Sequence, residues 1–136
     1  MGAMQKTITP IDDTLFVERP YADAAAIDAA LATAHKAARE WKHVSMAERQ
    51  KLLTKAVDAF VGRKDEIAEE LTRQIGRPIG QSPGEIRGFE ERSRYMIEIA
   101  PRSLADIDVG PKEGFTRFIR REPLGVVFVV APWNFP

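Results

Sequence analysis

The sequence predicts a mostly α-helical chain with strands near its C-terminus, which together form part of an α/β fold. Apolar residues recur at helical spacing in consecutive segments between residues 23 and 101. Residues 115–121 then alternate with a period of two, and residues 126–130 form an apolar run without polar alternation. Such a run is typical of a strand covered on both faces, usually a parallel strand of an α/β sheet.

A short strand and a helix are predicted first. Residues 14–18 alternate weakly between Pro10 and Pro20 and predict an edge strand. Asp23 is expected to cap a helix that runs to about Lys42. The apolar positions that share one face of this helix are Ile27, Ala30, Leu31, Ala34, Ala38 and Trp41.

Two further helices follow. Ser45 and Glu48 have the spacing of a capping box, so a second helix is predicted to begin there, with Gly62 as a break or a bend. The third helix is expected to end at Gly76, with Pro78 shortly after it. The stripes expected to be buried are Leu52, Leu53, Ala56, Val57 and Phe60, then Ile67, Leu71 and Ile75.

The fourth helix is predicted from a second capping pattern. Ser82 and Glu85 repeat the spacing of a capping box, with Pro83 at the first helical position. Pro101 is expected to end or kink this helix, because its ring clashes with the preceding turn.

The arginines of the predicted strand at residues 115–121 either protect a sheet edge from uncontrolled pairing or meet acidic groups on a partner.

The composition excludes several classes of function. The chain has 136 residues, of which 44% are hydrophobic and 29% charged, and its formal net charge is zero. A neutral chain disfavours nucleic-acid and membrane partners. No segment has the pattern of a membrane span or a signal peptide, so a cytoplasmic location is the default expectation. The sequence contains no cysteine, which excludes disulfides and thiolate metal sites.

The C-terminal motif carries a family resemblance. Arg-Glu-Pro-Leu-Gly-Val-Val at 121–127, followed by Ala-Pro-Trp-Asn-Phe-Pro at 131–136, resembles the segment leading into the active site of NAD(P)-dependent aldehyde dehydrogenases. Weaker upstream landmarks in the family's N-terminal order are Trp41, Glu48-Arg49, Ile75-Gly76-Arg77-Pro78 and Arg94-Tyr95. Residues 10–14 depart from the Asn-Pro-Ala-Thr-Gly type turn of many members, which leaves the subfamily open.

The resemblance implies an α/β parent fold with three regions in this chain. Residues 1–106 are expected to form the N-terminal helical part of the cofactor-binding domain. Residues 107–124 are expected to form a β-hairpin through which subunits assemble, which implies a homo-oligomer. Residues 125–136 are expected to supply the first strand of the cofactor-binding sheet and the start of the active site. A parallel strand needs neighbours, so the chain is expected to be part of a larger enzyme or to pair with another chain.

The resemblance also implies site residues. Asn134 is expected to donate its amide N–H to the oxyanion that forms when a cysteine thiolate attacks the aldehyde. Phe135 is expected to face the aldehyde channel, although an ordinary core aromatic is an equally good interpretation. The residues expected to line the NAD or NADP site are Val130, Ala131, Pro132 and Trp133. An asparagine that merely satisfies backbone groups at the end of a strand is the alternative for Asn134.

The other polar clusters favour structural roles. His35 and His43 have no carboxylate at metal-ligand spacing, so no metal site is expected. The pairs Glu69-Glu70 and Glu90-Glu91 are adjacent residues, which do not share a helical face.

The implied reaction is the oxidation of an aldehyde to a carboxylic acid with NAD or NADP through a cysteine thiohemiacetal. Without cysteine, the chain alone is expected to be inactive, and cofactor binding by it alone is not expected. The alternatives are a non-catalytic helical module that associates with itself or with a full-length aldehyde dehydrogenase, and a truncated product without a function of its own.

Overall fold

The computed structural model describes residues 3–132 and Asn134. Its helices are α1 (Ala24–Trp41), α2 (Met46–Val61), α3 (Lys64–Ile75) and α4 (Pro83–Ser103). One antiparallel strand pair, β1 (Met4–Ile8) with β2 (Leu15–Pro20), precedes the helices, and a second, β3 (Ile107–Asp108) with β4 (Phe118–Ile119), follows them. The predicted fold class, mostly helical with a C-terminal β-hairpin, is confirmed.

The N-terminal hairpin is closed by a hydrogen-bonded loop. Strand β1, which the sequence pattern did not predict, pairs with β2 so that Met4 lies opposite Pro20. The backbone N–H of Thr9 donates to the Thr14 carbonyl at 2.9 Å, and the Asp12 carboxylate accepts from the Thr14 hydroxyl at 2.7 Å. Asp13 has a positive φ of 59°, a conformation that aspartate tolerates better than most residues.

The helix starts of α1 and α2 agree with the sequence prediction. The Asp23 carboxylate accepts from the backbone N–H of Ala26 at 2.8 Å. Both bonds of the capping box are present at α2: the Ser45 hydroxyl accepts from the N–H of Glu48 at 3.3 Å, and the Glu48 carboxylate accepts from the N–H of Ser45 at 3.2 Å. These bonds satisfy backbone donors that a helix leaves unpaired in its first turn.

The capping box predicted at the start of α4 is wrong. Ser82 has helical backbone angles and makes no side-chain capping bond. Its side chain is fully buried, and its hydroxyl lies 3.0 Å from the hydroxyl of Thr72 on α3. The Glu85 carboxylate instead pairs with the guanidinium of Arg77 at 2.7 Å. Both side chains of the expected box are therefore engaged in tertiary contacts, which the sequence spacing does not reveal.

Pro101 was expected to end or kink α4, and the structure shows that it does not end the helix. The helix continues to Ser103, and the N–H of Leu104 donates to the carbonyl of Ala100 at 2.9 Å. Proline removes one backbone donor, so the carbonyl four residues earlier needs another partner. That carbonyl, of Ile97, accepts from the side-chain amide of Gln50 at 2.8 Å.

The core lies where α4 packs against α2 and α3. Val57, Ala68 and Ile86 are at most 4% exposed, one from each of these helices. The rings of Phe60 and Phe89 lie 4.3 Å apart between centroids. The expected stripes are only partly buried, because Leu52, Leu53, Ile27 and Leu31 stay about half exposed.

The two strands predicted near the C-terminus are largely absent. Of residues 115–121, only Phe118–Ile119 pairs as a strand, with Ile107–Asp108. Residues 126–130 do not form a strand, because no described strand lies beside them to share hydrogen bonds. Their side chains are exposed, with Phe128 at 89%. A strand that is apolar on both faces needs hydrogen-bonded strands beside it and packing on both faces, and the described part of the chain supplies no paired strand for it.

Candidate functional site

The predicted site residues lie at the C-terminal end of the described chain. Val130 is 74% exposed, and Ala131, Pro132 and Asn134 are also exposed. Asn134 lies in a turn. Trp133 and Phe135 lie outside the described residues. The structure therefore shows the Asn134 side chain exposed to solvent.

The segment before these residues runs beside the C-terminal half of α1. Gly125 has a φ of 95°, a left-handed conformation that favours glycine and turns the chain into the apolar run. Val126 and Val127 then border a cavity of about 650 Å³ whose opposite side includes Ala38 and Trp41. The start of the apolar run and the C-terminal half of α1 therefore border the same surface.

A second cavity, of about 550 Å³, lies at the junction of α1 and α2 and contains several charges. Arg49 is held firmly there: its guanidinium donates to the carbonyl of Trp41 at 2.8 Å and to that of Val44 at 3.0 Å. Arg120 pairs with Asp106 at 3.3 Å. The sequence indicates Arg49 only as a family landmark. Its bond to the Trp41 carbonyl at the end of α1 was not predicted, although unpaired carbonyls at a helix end are expected acceptors.

The C-terminal hairpin uses its basic side chains internally. The Arg117 guanidinium donates to the carbonyls of Val109 and Gly110 at 3.3 and 3.1 Å. The Arg120 guanidinium also lies over the ring of Phe118, 4.7 Å from its centroid. Phe115, in contrast, remains 65% exposed. The hairpin therefore offers apolar contacts more than unpaired positive charge.

The pKa shifts that the structure produces belong to local structure rather than to acid–base chemistry. Hydrogen bonds from Thr14 hold the pKa of Asp12 below its ordinary value. The Arg63 guanidinium, bonded to the Glu66 carboxylate, lowers the pKa of Glu66. Within the described residues, no group of three histidine, aspartate or glutamate side chains could hold a metal ion, and no helix is long and apolar enough to cross a bilayer.

The family model described as "Aldehyde dehydrogenase family" matches residues 2–136. The chain belongs to the aldehyde dehydrogenase family. This finding confirms the resemblance carried by the motif at residues 121–136, and it covers the helical region as well.

Curated members of the aldehyde dehydrogenase family resemble this chain over most of its length. The mitochondrial succinate-semialdehyde dehydrogenase of Rattus norvegicus is 33% identical over 108 residues, which are 79% of this chain and 21% of that protein. The human enzyme of the same name is also 33% identical, over 79% of this chain and 20% of its own length. The chain thus spans about a fifth of the curated relatives.

Solved structures in the family have the same architecture. PnpE from Pseudomonas sp. WBC-3 superposes with a TM-score of 0.89 at 30% identity, covering 98% of this chain and 28% of PnpE. A NAD-dependent benzaldehyde dehydrogenase from Corynebacterium glutamicum gives a TM-score of 0.72 at 26% identity, over 82% of this chain and 24% of its own. Another crystal structure of PnpE contains nicotinamide adenine dinucleotide.

Proposed function

We propose that this chain forms the N-terminal part of an NAD(P)-dependent aldehyde dehydrogenase that oxidises an aldehyde to a carboxylic acid. The match of the family model to residues 2–136, which include the motif around Asn134, is the observation that carries this proposal. In this arrangement residues 1–106 belong to the cofactor-binding domain, residues 107–124 form an assembly hairpin, and residues 125–136 lead into the active site. The proposal keeps the homo-oligomeric assembly and cytoplasmic location expected from the sequence.

Asn134 contributes the chemistry that this chain can supply. A cysteine thiolate from the remainder of the enzyme forms a bond to the aldehyde carbon, and the carbonyl electron pair moves onto oxygen. The Asn134 amide, a neutral group that donates without titrating, stabilises this oxyanion. Removing one such donor costs about 10²–10³ in kcat in a well-studied protease. Phe135 lies next in sequence and lines the aldehyde channel in this proposal.

The residues before Asn134 fit one wall of a nucleotide site. Val130, Ala131 and Pro132 are apolar and exposed at the end of the segment. They offer no side-chain donor for phosphate groups, so they can contribute packing against the cofactor but not its charge recognition. Trp133 completes this wall in the proposal. The nicotinamide cofactor supplies hydride acceptance when bound; the residues of this chain position it and exclude water.

The reaction proposal is tested in the complete enzyme that contains this chain. Asn134→Ala is expected to lower kcat about 10²–10³-fold while substrate KM changes little, because the donor acts in the transition state. Asn134→Asp removes the same donor with nearly the same shape and is expected to lose as much activity. Wild-type kcat in Asn134→Ala would contradict the proposed role.

The isolated chain provides a second test. It contains no cysteine, so the purified protein is expected to produce no NADH or NADPH from aldehydes above a control without enzyme. Production above that control would show that the assigned mechanism is wrong.

A non-catalytic helical module that associates with itself or with a full-length aldehyde dehydrogenase is the second candidate. The exposure of Leu124 and Phe128, at 95% and 89%, favours it. Light scattering after size-exclusion chromatography, with and without an active full-length enzyme of the family, tests this candidate. A monomer that ignores the enzyme would exclude it.

A further inference from the structure

The carbonyl of Ile97 depends on a side chain from another helix. In an α-helix this carbonyl accepts from the backbone N–H four residues later, but residue 101 is proline and has none. Gln50, on α2, donates its side-chain N–H to this carbonyl at 2.8 Å. The bond joins residues 47 positions apart in sequence. Gln50 therefore supplies the donor that Pro101 removes.

The bond between Gln50 and the Ile97 carbonyl lies in partly buried, largely apolar surroundings. Gln50 and Ile97 are both partly buried and border a small, largely apolar cavity of about 240 Å³. Its other lining residues include Leu53, Ala100 and Leu104. A carbonyl left unpaired in such surroundings costs more than one at the surface, because water replaces the lost partner less well.

The last turn of α4 determines where the C-terminal hairpin begins. The helix ends at Ser103, and two close contacts follow it within a few residues. Asp106 pairs with Arg120 at 3.3 Å, and Ile107 lies opposite Ile119 in the β3–β4 pair. A change in the direction of the last helical turn therefore moves β3 and, through these two contacts, the β4 side of the hairpin as well.

We propose that Gln50 is a positioning residue for the β3–β4 hairpin. By pairing with the Ile97 carbonyl, it lets α4 cross Pro101 in helical form and fixes the last helical turn against α2. The adjacent Arg49 fixes the end of α1 through the carbonyls of Trp41 and Val44. Two consecutive side chains in the first turns of α2 thus orient the helices on either side of it.

Hydrogen exchange of the purified chain, followed by mass spectrometry, tests this proposal. Gln50→Met has a similar shape but no donor, so amides in residues 102–119 are expected to exchange about tenfold faster, while those of α3 are unchanged. Gln74→Met is the matched control, because the Gln74 amide contacts only the exposed Glu70 carboxylate on its own helix. This control is expected to leave residues 102–119 unchanged.

The dependence on proline separates positioning from general destabilisation. In a Pro101→Ala background the new N–H at position 101 can donate to the Ile97 carbonyl. In that background, Gln50→Met is therefore expected to change the amide exchange rates of residues 102–119 less than twofold. An equal acceleration in both backgrounds, a uniform acceleration along the chain, or no acceleration at all would each overturn the proposal. If Gln50→Met does not fold, the double variant is still expected to fold, and its failure to do so also overturns the proposal. Dehydrogenase activity does not enter this test, so its outcome is independent of the proposed reaction.

Discussion

At the scale of single residues, Gly76 lies close to Pro10 in the loop of the N-terminal hairpin. It ends α3 with a φ of 75°, and a Cβ at this position would lie 2.9 Å from the Pro10 ring. Gly76→Ala therefore adds left-handed strain and a clash, and we expect it to lower the free energy of unfolding by about 1–3 kcal/mol. Gly80→Ala is the control, because its Cβ meets nothing within 4 Å. Urea denaturation that gives equal losses for both variants would contradict this explanation.

The Asp12 carboxylate gives the hairpin loop a dependence on pH. Its pKa lies below the ordinary value of 3.8, first because the Thr14 hydroxyl donates to it and second because the Thr14 N–H does. A lowered folded-state pKa means that this stabilisation is complete above about pH 4 and is lost as the pH falls through the folded value. Carboxyl NMR titration of Thr14→Val is expected to show a higher Asp12 pKa.

The remaining backbone bond limits the size of this effect. The Thr14 N–H still donates to Asp12 in the variant, at 3.1 Å in the parent, so the Asp12 pKa should stay below 3.8. Thr33→Val removes a hydroxyl bonded to a helix carbonyl instead and serves as the control. An Asp12 pKa that is the same in Thr14→Val and in the parent would contradict the assigned cause.

At the scale of elements, two serines with the same sequence signature have different partners. The structure links Ser45 to Glu48 but links Ser82 to Thr72. We therefore expect double-mutant cycles to give coupling of about 0.5–1 kcal/mol for Ser45 with Glu48 and for Ser82 with Thr72. Ser82 and Glu85 should be uncoupled within about 0.3 kcal/mol. If denaturation experiments show coupling between Ser82 and Glu85, these residues form the capping box at α4 after all.

Helix α2 buries only part of its predicted apolar stripe. Val57 is 4% exposed on a helix that packs against α4, whereas Leu52 of the same predicted stripe is 51% exposed. Val57→Ala is expected to cost about 2 kcal/mol of unfolding free energy, because it leaves a gap in the core. Leu52→Ala removes more atoms but is expected to cost under about 1 kcal/mol. A larger loss for Leu52→Ala in thermal or urea unfolding would show that the stripe is buried as a whole.

Local signals explain which elements the sequence could predict. The caps at Asp23 and Ser45 and the stop at Gly76 act within one helical turn, so short sequence windows contain them. The engagement of Ser82 with α3 and the rescue of α4 at Pro101 depend on residues far apart in sequence, which no local pattern shows. The candidate site shows the same difference between local and long-range signals. The local motif around Asn134 was enough to identify the family, but the described chain contains no groups that enclose this residue.

At the scale of the whole molecule, the described chain has a small core and a large apolar surface. The face of α1 and the segment after Gly125 meet along one cavity, and most of their large apolar side chains are exposed. Continuous exposed apolar surface of this kind marks an interaction site or a tendency to associate. The two proposed functions both place a cover on this surface: the remainder of an enzyme in the first and another chain in the second.

From the exposed apolar residues 126–130 we predict how the purified chain associates with itself. Phe128 is 89% exposed, so burying its ring in a contact contributes about 1.5–3 kcal/mol. Phe128→Lys is therefore expected to weaken self-association about tenfold or more, measured as the concentration dependence of mass in light scattering. Ile11→Lys makes the same change of charge at a 61% exposed position in the N-terminal hairpin loop and should leave association unchanged. If both lysines weaken association equally, net charge rather than the apolar segment controls it, because a contact at residues 126–130 responds only to the first variant.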